Sequence, residues 1–499
     1  MRIWCVLLLL AVATPALAQK SADTLRVSWR DAVPDVDPYY NSLRTGLVLA
    51  HQAWDTLIYR DPATFELRPQ LATSWKYVND TALEFTLRQG VTFQDGSPFS
   101  ADDVVYTIET ALHDPRVSVP TNFAFLQGAE KIDADHVRIR LKRVFPAALE
   151  YLAMVVPILP KGYRERVGAA AYAQAPIGTG PYRITRVDGT REIDLERYDG
   201  YFNGPKGRPA IRRIVIREVA DANAELADLL GGRADWIWML NPDALTTIDS
   251  HPELRALTQE SMRIGYLSLD AAGRSGPDDP MKQLKVRQAI WQAIDRAAFV
   301  RQVVGDGARV LYAPCYPSQF GCDEAAAVRY PYDPAKARQL LADAGYPDGF
   351  KTELVSYILP QWSKAIAGYL QAIGIDARIV QLPTGQAVRR AEAGQAPLWL
   401  GSWGSYSIND VSAIFPYFFG GGPDDYARDP ELEKLVQAGD ATTDPDRRRL
   451  AYSQAIHRIT AQAYWLPLNT NVTTYAMVQD LDFTAYPDEL PRFFLAHWR

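Results

Sequence analysis

Cysteine and histidine are scarce in this 499-residue chain, with three of the first and six of the second. His51, His113, His136, His251, His457 and His497 stand apart, no two at metal-ligand spacing, and no HExxH helix occurs. The GxSxG elbow of serine hydrolases is missing too, as are the GxGxxG and GxxxxGK[ST] phosphate loops. Those gaps argue against a zinc hydrolase, a serine esterase and a nucleotide enzyme; a carboxylate pair of the glycosidase kind stays open, because acidic residues are plentiful. Basic residues show no excess: Lys and Arg number 53 against 59 Asp and Glu, a net charge of −6, which points away from nucleic acid as a partner. After the first residues no window approaches eighteen consecutive apolar positions, so the sequence predicts no later membrane-spanning helix.

What is present begins with an export signal. Arg2 precedes an apolar run from Ile3 to Ala13, and Ala16-Leu17-Ala18 has the small-x-small form that predicts cleavage before Gln19. Residues 1–18 are therefore expected to be removed and the mature protein to occupy the oxidising periplasm. Cys315 and Cys322 remain, seven residues apart in a run of turn formers, Pro314-Cys315-Tyr316-Pro317-Ser318-Gln319-Phe320-Gly321-Cys322. In that compartment a disulfide closing the loop is expected; a zinc pair lacks both a nearby His and the CxxC spacing.

A chain of this length implies two to four domains. Its first half alternates like strands: Leu83, Phe85 and Leu87, then Val137, Ile139 and Leu141, later Ile193 with Leu195 and Ile214 with Ile216. Ser100 followed by Asp103 predicts a helix start, with Val105, Ile108 and Leu112 on one face. From about Met281 helices dominate. Val286, Ala289, Ile290, Ala293, Ile294 and Ala297 predict one helix running toward Gly305, Asp333-Pro334 opens a second that Gly345 closes, and Ile366, Leu370 and Ile373 mark a third ended by Gly374. Asp429-Pro430 and Asp444-Pro445 open two more. Short strands are expected at Tyr266 to Leu269 and Ala377 to Leu382. The stretch from Leu466 to Arg499 is expected to return to the first domain. The fold class is thus mixed α/β and α+β.

Several segments, taken in order, resemble one family. Leu67-Arg68-Pro69-Gln70-Leu71-Ala72 leads to Phe85-Thr86-Leu87-Arg88-Gln89-Gly90, then to Asp95-Gly96-Ser97-Pro98-Phe99-Ser100-Ala101-Asp102-Asp103-Val104. Pro176-Ile177-Gly178-Thr179-Gly180-Pro181-Tyr182 and Val286-Arg287-Gln288-Ala289-Ile290-Trp291 follow. The set is similar to the family 5 extracellular solute-binding proteins of ABC importers, the dipeptide, oligopeptide and nickel class. The resemblance implies a two-lobed, three-domain fold with a ligand cleft between the lobes. Residues 19–56 with 176–265 and 466–499 would form a discontinuous domain I, 57–175 domain II and 266–465 domain III. It also implies a monomer without cofactor or catalytic residues, capturing a small peptide-like solute and passing it to a membrane permease.

Ligand loops should combine rings with a few polar anchors. Asp37-Pro38-Tyr39-Tyr40-Asn41 fits, so Tyr39, Tyr40 and Asn41 are candidates. Trp236 to Asn241 is a second aromatic stretch, in which Trp238, like Trp399 further on, reads better as core. The run from Trp399 to Ser412 contributes Trp403, Ser405, Tyr406, Asn409 and Asp410. In dipeptide-binding members of the family an Asp in this loop holds the ligand ammonium and an Arg after a domain III strand holds its carboxylate. Aligned on Trp403 and on Val355-Ser356, those positions fall on Tyr406 and Tyr357. Loss of both charged anchors disfavours an ordinary free dipeptide. Asp410 is the candidate replacement for the negative charge, or else a helix cap; Arg389 or Arg390 is the candidate for the positive one. A sugar, an opine or a metal chelate is the alternative cargo. Mass measurement of periplasmic material after thiol alkylation is expected to find neither Cys315 nor Cys322 labelled until a reductant is added.

Overall fold

The computed structural model describes residues 23–189 and 191–499; the leader expected before Gln19 lies outside them. A ten-stranded mixed sheet runs through the molecule. Its strands, in spatial order, are Ile375–Gln381, Phe350–Ser356, Leu398–Trp403, Leu254–Leu269, Trp465–Val478, Trp236–Trp238, Thr24–Trp29, Arg213–Glu218, Glu192–Arg197 and Tyr182–Asp188. The fourth and fifth strands, of 16 and 14 residues, are far longer than the rest and pair antiparallel along their length. They carry the sheet from one lobe into the other.

Burial separates the lobes. One cluster of buried apolar side chains runs from Leu25 to Leu254 and resumes from Tyr475 to Ala496, and only Ile408 and Ala413 reach it from between. The other two clusters draw their buried members from Met262 to Leu468. Where the long strands pass between these cores their register breaks: Glu260 pairs with Val472 and Ile264 with Thr470, leaving Ser261, Met262 and Arg263 against Asn471. Such a bulge bends and twists a strand pair locally. The amide of Met262 turns outward to donate to Pro487 O at 2.7 Å.

A separate four-stranded antiparallel sheet, Ala72–Asn79, Ala82–Leu87, His136–Leu141 and Leu126–Lys131, lies on the first lobe. Its alternation is the one visible in the sequence. Leu83 faces Ile139 and Phe85 faces Val137, and all four are buried. The helix Ala101–His113 covers it, opened by the Ser100–Asp103 capping box.

Asp333, Asp429 and Asp444 each cap a helix with Pro in its first turn, and Gly345 and Gly374 follow helices in the left-handed region. Three expectations change. The helix predicted through Ala297 stops at Ala293, because Asp295 turns its carboxylate to Ala298 N and starts a new helix, Arg296–Phe299. Tyr266 to Leu269 is the end of the 16-residue strand, whose outer half has too few apolar residues for a period of two to show. The returning segment is shared: Leu466 and Leu468 belong to a second-lobe core and only later residues join the first.

The Gly178-Thr179-Gly180 passage is a backbone crossing. Gly180 N donates to Ala53 O at 3.0 Å, and the Gln94 amide donates to the carbonyls of Ala53, Gly180 and Tyr182 at 2.8–3.1 Å. A Cβ at Gly180 would stand 2.4 Å from the Ala53 carbonyl carbon. Gly180→Ala is expected to cost about 1–3 kcal/mol in urea unfolding, whereas Gly162→Ala, with nothing within 4 Å, should be close to neutral.

Candidate functional site

On the first lobe the site begins where the strand Thr24–Trp29 ends. Buried Asp37 accepts from Arg164 Nε and Nη2 at 3.1 and 2.8 Å and from Tyr39 N at 3.0 Å. Burial pushes its carboxyl upward, and the Arg164 guanidinium opposes that rise. The turn buries Tyr39, whose hydroxyl donates to Pro157 O at 2.9 Å and whose ring lies 5.5 Å from Phe123. Tyr40 goes the other way: it donates to Asp114, accepts from Arg164 at 2.6 Å and lies under the Arg116 guanidinium. Asn41 donates to Asp35 O at 3.1 Å and accepts from Leu43 N at 2.7 Å, which sets the entry to the helix Arg44–Ala53.

The second lobe supplies a loop with an uncommon backbone. Ser405, Tyr406 and Ser407 have φ of 50°, 50° and 63°, three successive non-glycine residues in the left-handed region. Each position costs on the order of 1–2 kcal/mol, so contacts from both sides must hold the run. From the first lobe, Arg60 donates to Ser407 O, Arg44 to Ser407 Oγ at 3.4 Å, and Glu150 accepts from Asn409 N at 3.2 Å. Ser407 Oγ itself donates to Asp488 O at 2.7 Å. From its own lobe the loop is braced by the segment that the Cys315–Cys322 disulfide closes. There Phe320 N donates to Asn409 O at 3.0 Å, Val411 N to Phe320 O at 3.1 Å and the Gln319 amide to Ile408 O at 3.0 Å.

Within this loop Tyr406 is 45% exposed and stands edge-on to Trp403, 5.4 Å between centroids. Trp403 donates Nε1 to Ala413 O at 3.0 Å and stacks on Tyr417 at 4.4 Å. Ser405 is buried. Asp410 is buried as well: Arg448 Nη2 reaches both its oxygens at 2.8 Å, and Ser412 N bonds it at 2.9 Å as a helix-turn cap. Of the two roles weighed for Asp410, the geometry matches the cap, and the ion pair neutralises its charge. The Tyr357 hydroxyl is engaged by the backbone of Ser402. Arg389 lies exposed on the helix Thr384–Glu392, and Arg390 beside it pairs with Glu353.

Charge is concentrated where the lobes meet. The Arg60 side chain, 0% exposed, lies between Glu150 and Asp488, each at 2.9 Å. Arg492 donates twice more to Asp488, both at 2.7 Å. Although burial alone would raise it, these two guanidiniums hold the Asp488 carboxyl down at about 2. Next to it Glu489 pairs with Arg44 at 2.9 Å and accepts from Thr473 at 3.0 Å, with Arg263 of the strand bulge at 3.6 Å.

Between these elements lies a cavity of about 140 Å³, walled by Tyr39, Asn41, Arg44 and Phe123 of the first lobe and by Tyr406 and Ser407 of the second. Tyr39, Asn41 and Tyr406 were legible as candidates; Trp403 stands directly behind Tyr406. Tyr40, Tyr357 and Asp410 are spent inside their lobes, Asn409 is a lobe contact, and Arg389 points elsewhere. Sequence reasoning missed Arg44, Phe123, Arg60 and Asp488. Arg44 carried one hint: a cation at the first position of a helix opposes the helix dipole and so implies an acidic partner from elsewhere.

The model for the bacterial extracellular solute-binding proteins, family 5, matches residues 66–425. The chain belongs to that family. The binding protein is 27% identical over 469 residues to heme-binding protein A of Haemophilus influenzae, covering 85% of this chain and 82% of that one. It is 29% identical over 517 residues to di/tripeptide-binding protein 2 of Pseudomonas aeruginosa, covering 93% and 92%. Its fold superposes on HbpA2 from Haemophilus parasuis with a TM-score of 0.83 at 22% identity, over 95% of this chain and all of that one.

Acid should act on this site in a defined direction. Asp488 ionises at about 2 in the folded state against 3.8 ordinarily, so its stabilisation is complete above pH 4 and is lost as pH falls toward 2. Buried His51 takes its proton at about 3 instead of 6.5, held neutral first by burial and then by Lys206 and Arg492, so it withdraws stability as pH falls below 6.5. Urea midpoints are expected to decline below pH 6.5 and again below pH 4, and His51→Gln should remove the first decline while leaving the second.

Proposed function

We propose that this protein is a periplasmic carrier that closes its two lobes on a small peptide-like solute and presents it, unaltered, to the permease of an ABC importer. One observation carries the reading: the cavity beside Tyr406 takes its walls from both lobes, so lobe closure and solute enclosure are one event. Family membership supports solute capture rather than catalysis. The di/tripeptide-binding relative, alignable over nearly the whole chain, supports a peptide-like cargo. On this reading the mature protein begins at Gln19 and works as a monomer. Domain II is 57–175, and the boundary between domains I and III falls at the bulge of 261–263 against Asn471, which serves as hinge, rather than at 265 and 466.

The test is a melting-temperature screen of the mature chain with Met-Leu, a tripeptide, a disaccharide and an opine, since a solute bound only by the folded form raises stability. A rise with peptides alone is expected; a rise confined to the disaccharide or opine would replace the cargo class. By calorimetry with the best peptide, Tyr406→Ala is expected to weaken binding at least tenfold, about 1.4 kcal/mol, and unchanged affinity would displace the site.

A further inference from the structure

The cavity wall carries no charge to offer a ligand. Arg44 is its one lining residue of the Asp, Glu, Lys, Arg or His kind, and its guanidinium is already committed to Glu489 at 2.9 Å, to Asp488 O at 3.1 Å and to Ser407 Oγ at 3.4 Å. Tyr39 spends its hydroxyl on Pro157 O, Asn41 its amide on Asp35 O and Ser407 its hydroxyl on Asp488 O. The rest of the wall is largely hydrocarbon: Leu43, Leu47, Ala50, Val119, Phe123 and Val155. An ammonium or carboxylate entering here would leave water without meeting a free opposite charge, which is unfavourable. An apolar group would gain simply by leaving water.

Size narrows the class. At about 140 Å³ the space is close to the roughly 150 Å³ of an engineered apolar cavity in another protein that accepts one benzene. It therefore holds one ring or one branched aliphatic group, not a whole dipeptide. Ser42, Asn122 and the Tyr406 ring also line it and bring neutral polar atoms that suit the amide of a peptide unit.

We propose that the cavity between Tyr39, Phe123 and Tyr406 is a side-chain pocket that selects an uncharged, leucine- to phenylalanine-sized group on the solute, whose charged ends stay outside it. This deepens the peptide-like reading above and rests on it for the identity of the solute, but pocket occupancy can be read separately. Toluene is the first probe, with saturation-transfer NMR and melting temperature as readouts on the mature chain. The second comparison sets Met-Leu against Lys-Lys by calorimetry. Val119→Phe and, on a different element, Leu47→Phe each add bulk to a residue lining the cavity, and a cooperative melt establishes that each variant folds.

The expected result is that toluene binds the native protein and neither folded filled variant. Met-Leu should bind at least tenfold more tightly than Lys-Lys, and filling should weaken Met-Leu at least tenfold. Absence of toluene binding to the native chain overturns the pocket, as does equal affinity for the two dipeptides undisturbed by filling. If toluene binds and is displaced by filling while no peptide binds, the pocket stands and the peptide cargo falls.

Discussion

Asp488 is a carboxylate buried among two guanidiniums, and much of the lobe junction depends on it. Removing such a group from water is costly, and only close pairing with Arg60 and Arg492 recovers the loss. That requirement places three distant stretches at one point: Arg60 beyond the first helix, Glu150 on the helix Ala148–Met154 and the segment carrying Asp488 and Arg492 near the end of the chain. Losing one partner would strand a buried charge. Pairing of this kind specifies position more than it adds net stability, and here the position specified is where the lobes touch.

The strained loop follows from the same constraint. Its carbonyl at Ser407 accepts from Arg60, and its serine hydroxyl bonds the backbone of Asp488, so the left-handed run is held by the charge cluster. The disulfide-closed segment supports it from behind through hydrogen bonds at Ile408, Asn409 and Val411. A backbone fixed from both lobes holds Tyr406 edge-on over Trp403 with one side of its ring exposed, while its neighbours Ser405 and Ser407 are buried. Separation of the lobes would remove one of the two supports, so the conformation of the loop and the closure of the cleft are coupled.

Local signals carried the elements well. The capping box at Ser100 and Asp103, the Asp-Pro helix starts and the alternation of Leu83, Phe85 and Leu87 each involve neighbours in sequence, and each has its counterpart in the structure. The continuity of the helix beyond Ala293 failed for an equally local reason: a correct apolar period was overruled by an N-cap at Asp295. At the site the aromatic candidates fared unevenly. Tyr39 and Tyr40 are adjacent and alike in type, yet one faces the cavity and the other joins Asp114 and Arg164, because Arg164 lies far along the chain and its position was not readable from residues 37 to 41.

The sequence by itself determined the family, the mixed class of the fold, the cysteine pair and the presence of rings in two candidate loops. These rest on composition, spacing and ordered motifs, all properties of the chain laid out in one dimension. Only the tertiary structure decided that Asp410 is neutralised by Arg448, that Arg44 is neutralised by Glu489, and that the space between Phe123 and Tyr406 is apolar. The charge available at a site is what remains after each ionised group has found its partner, and those partners lie tens to hundreds of residues away.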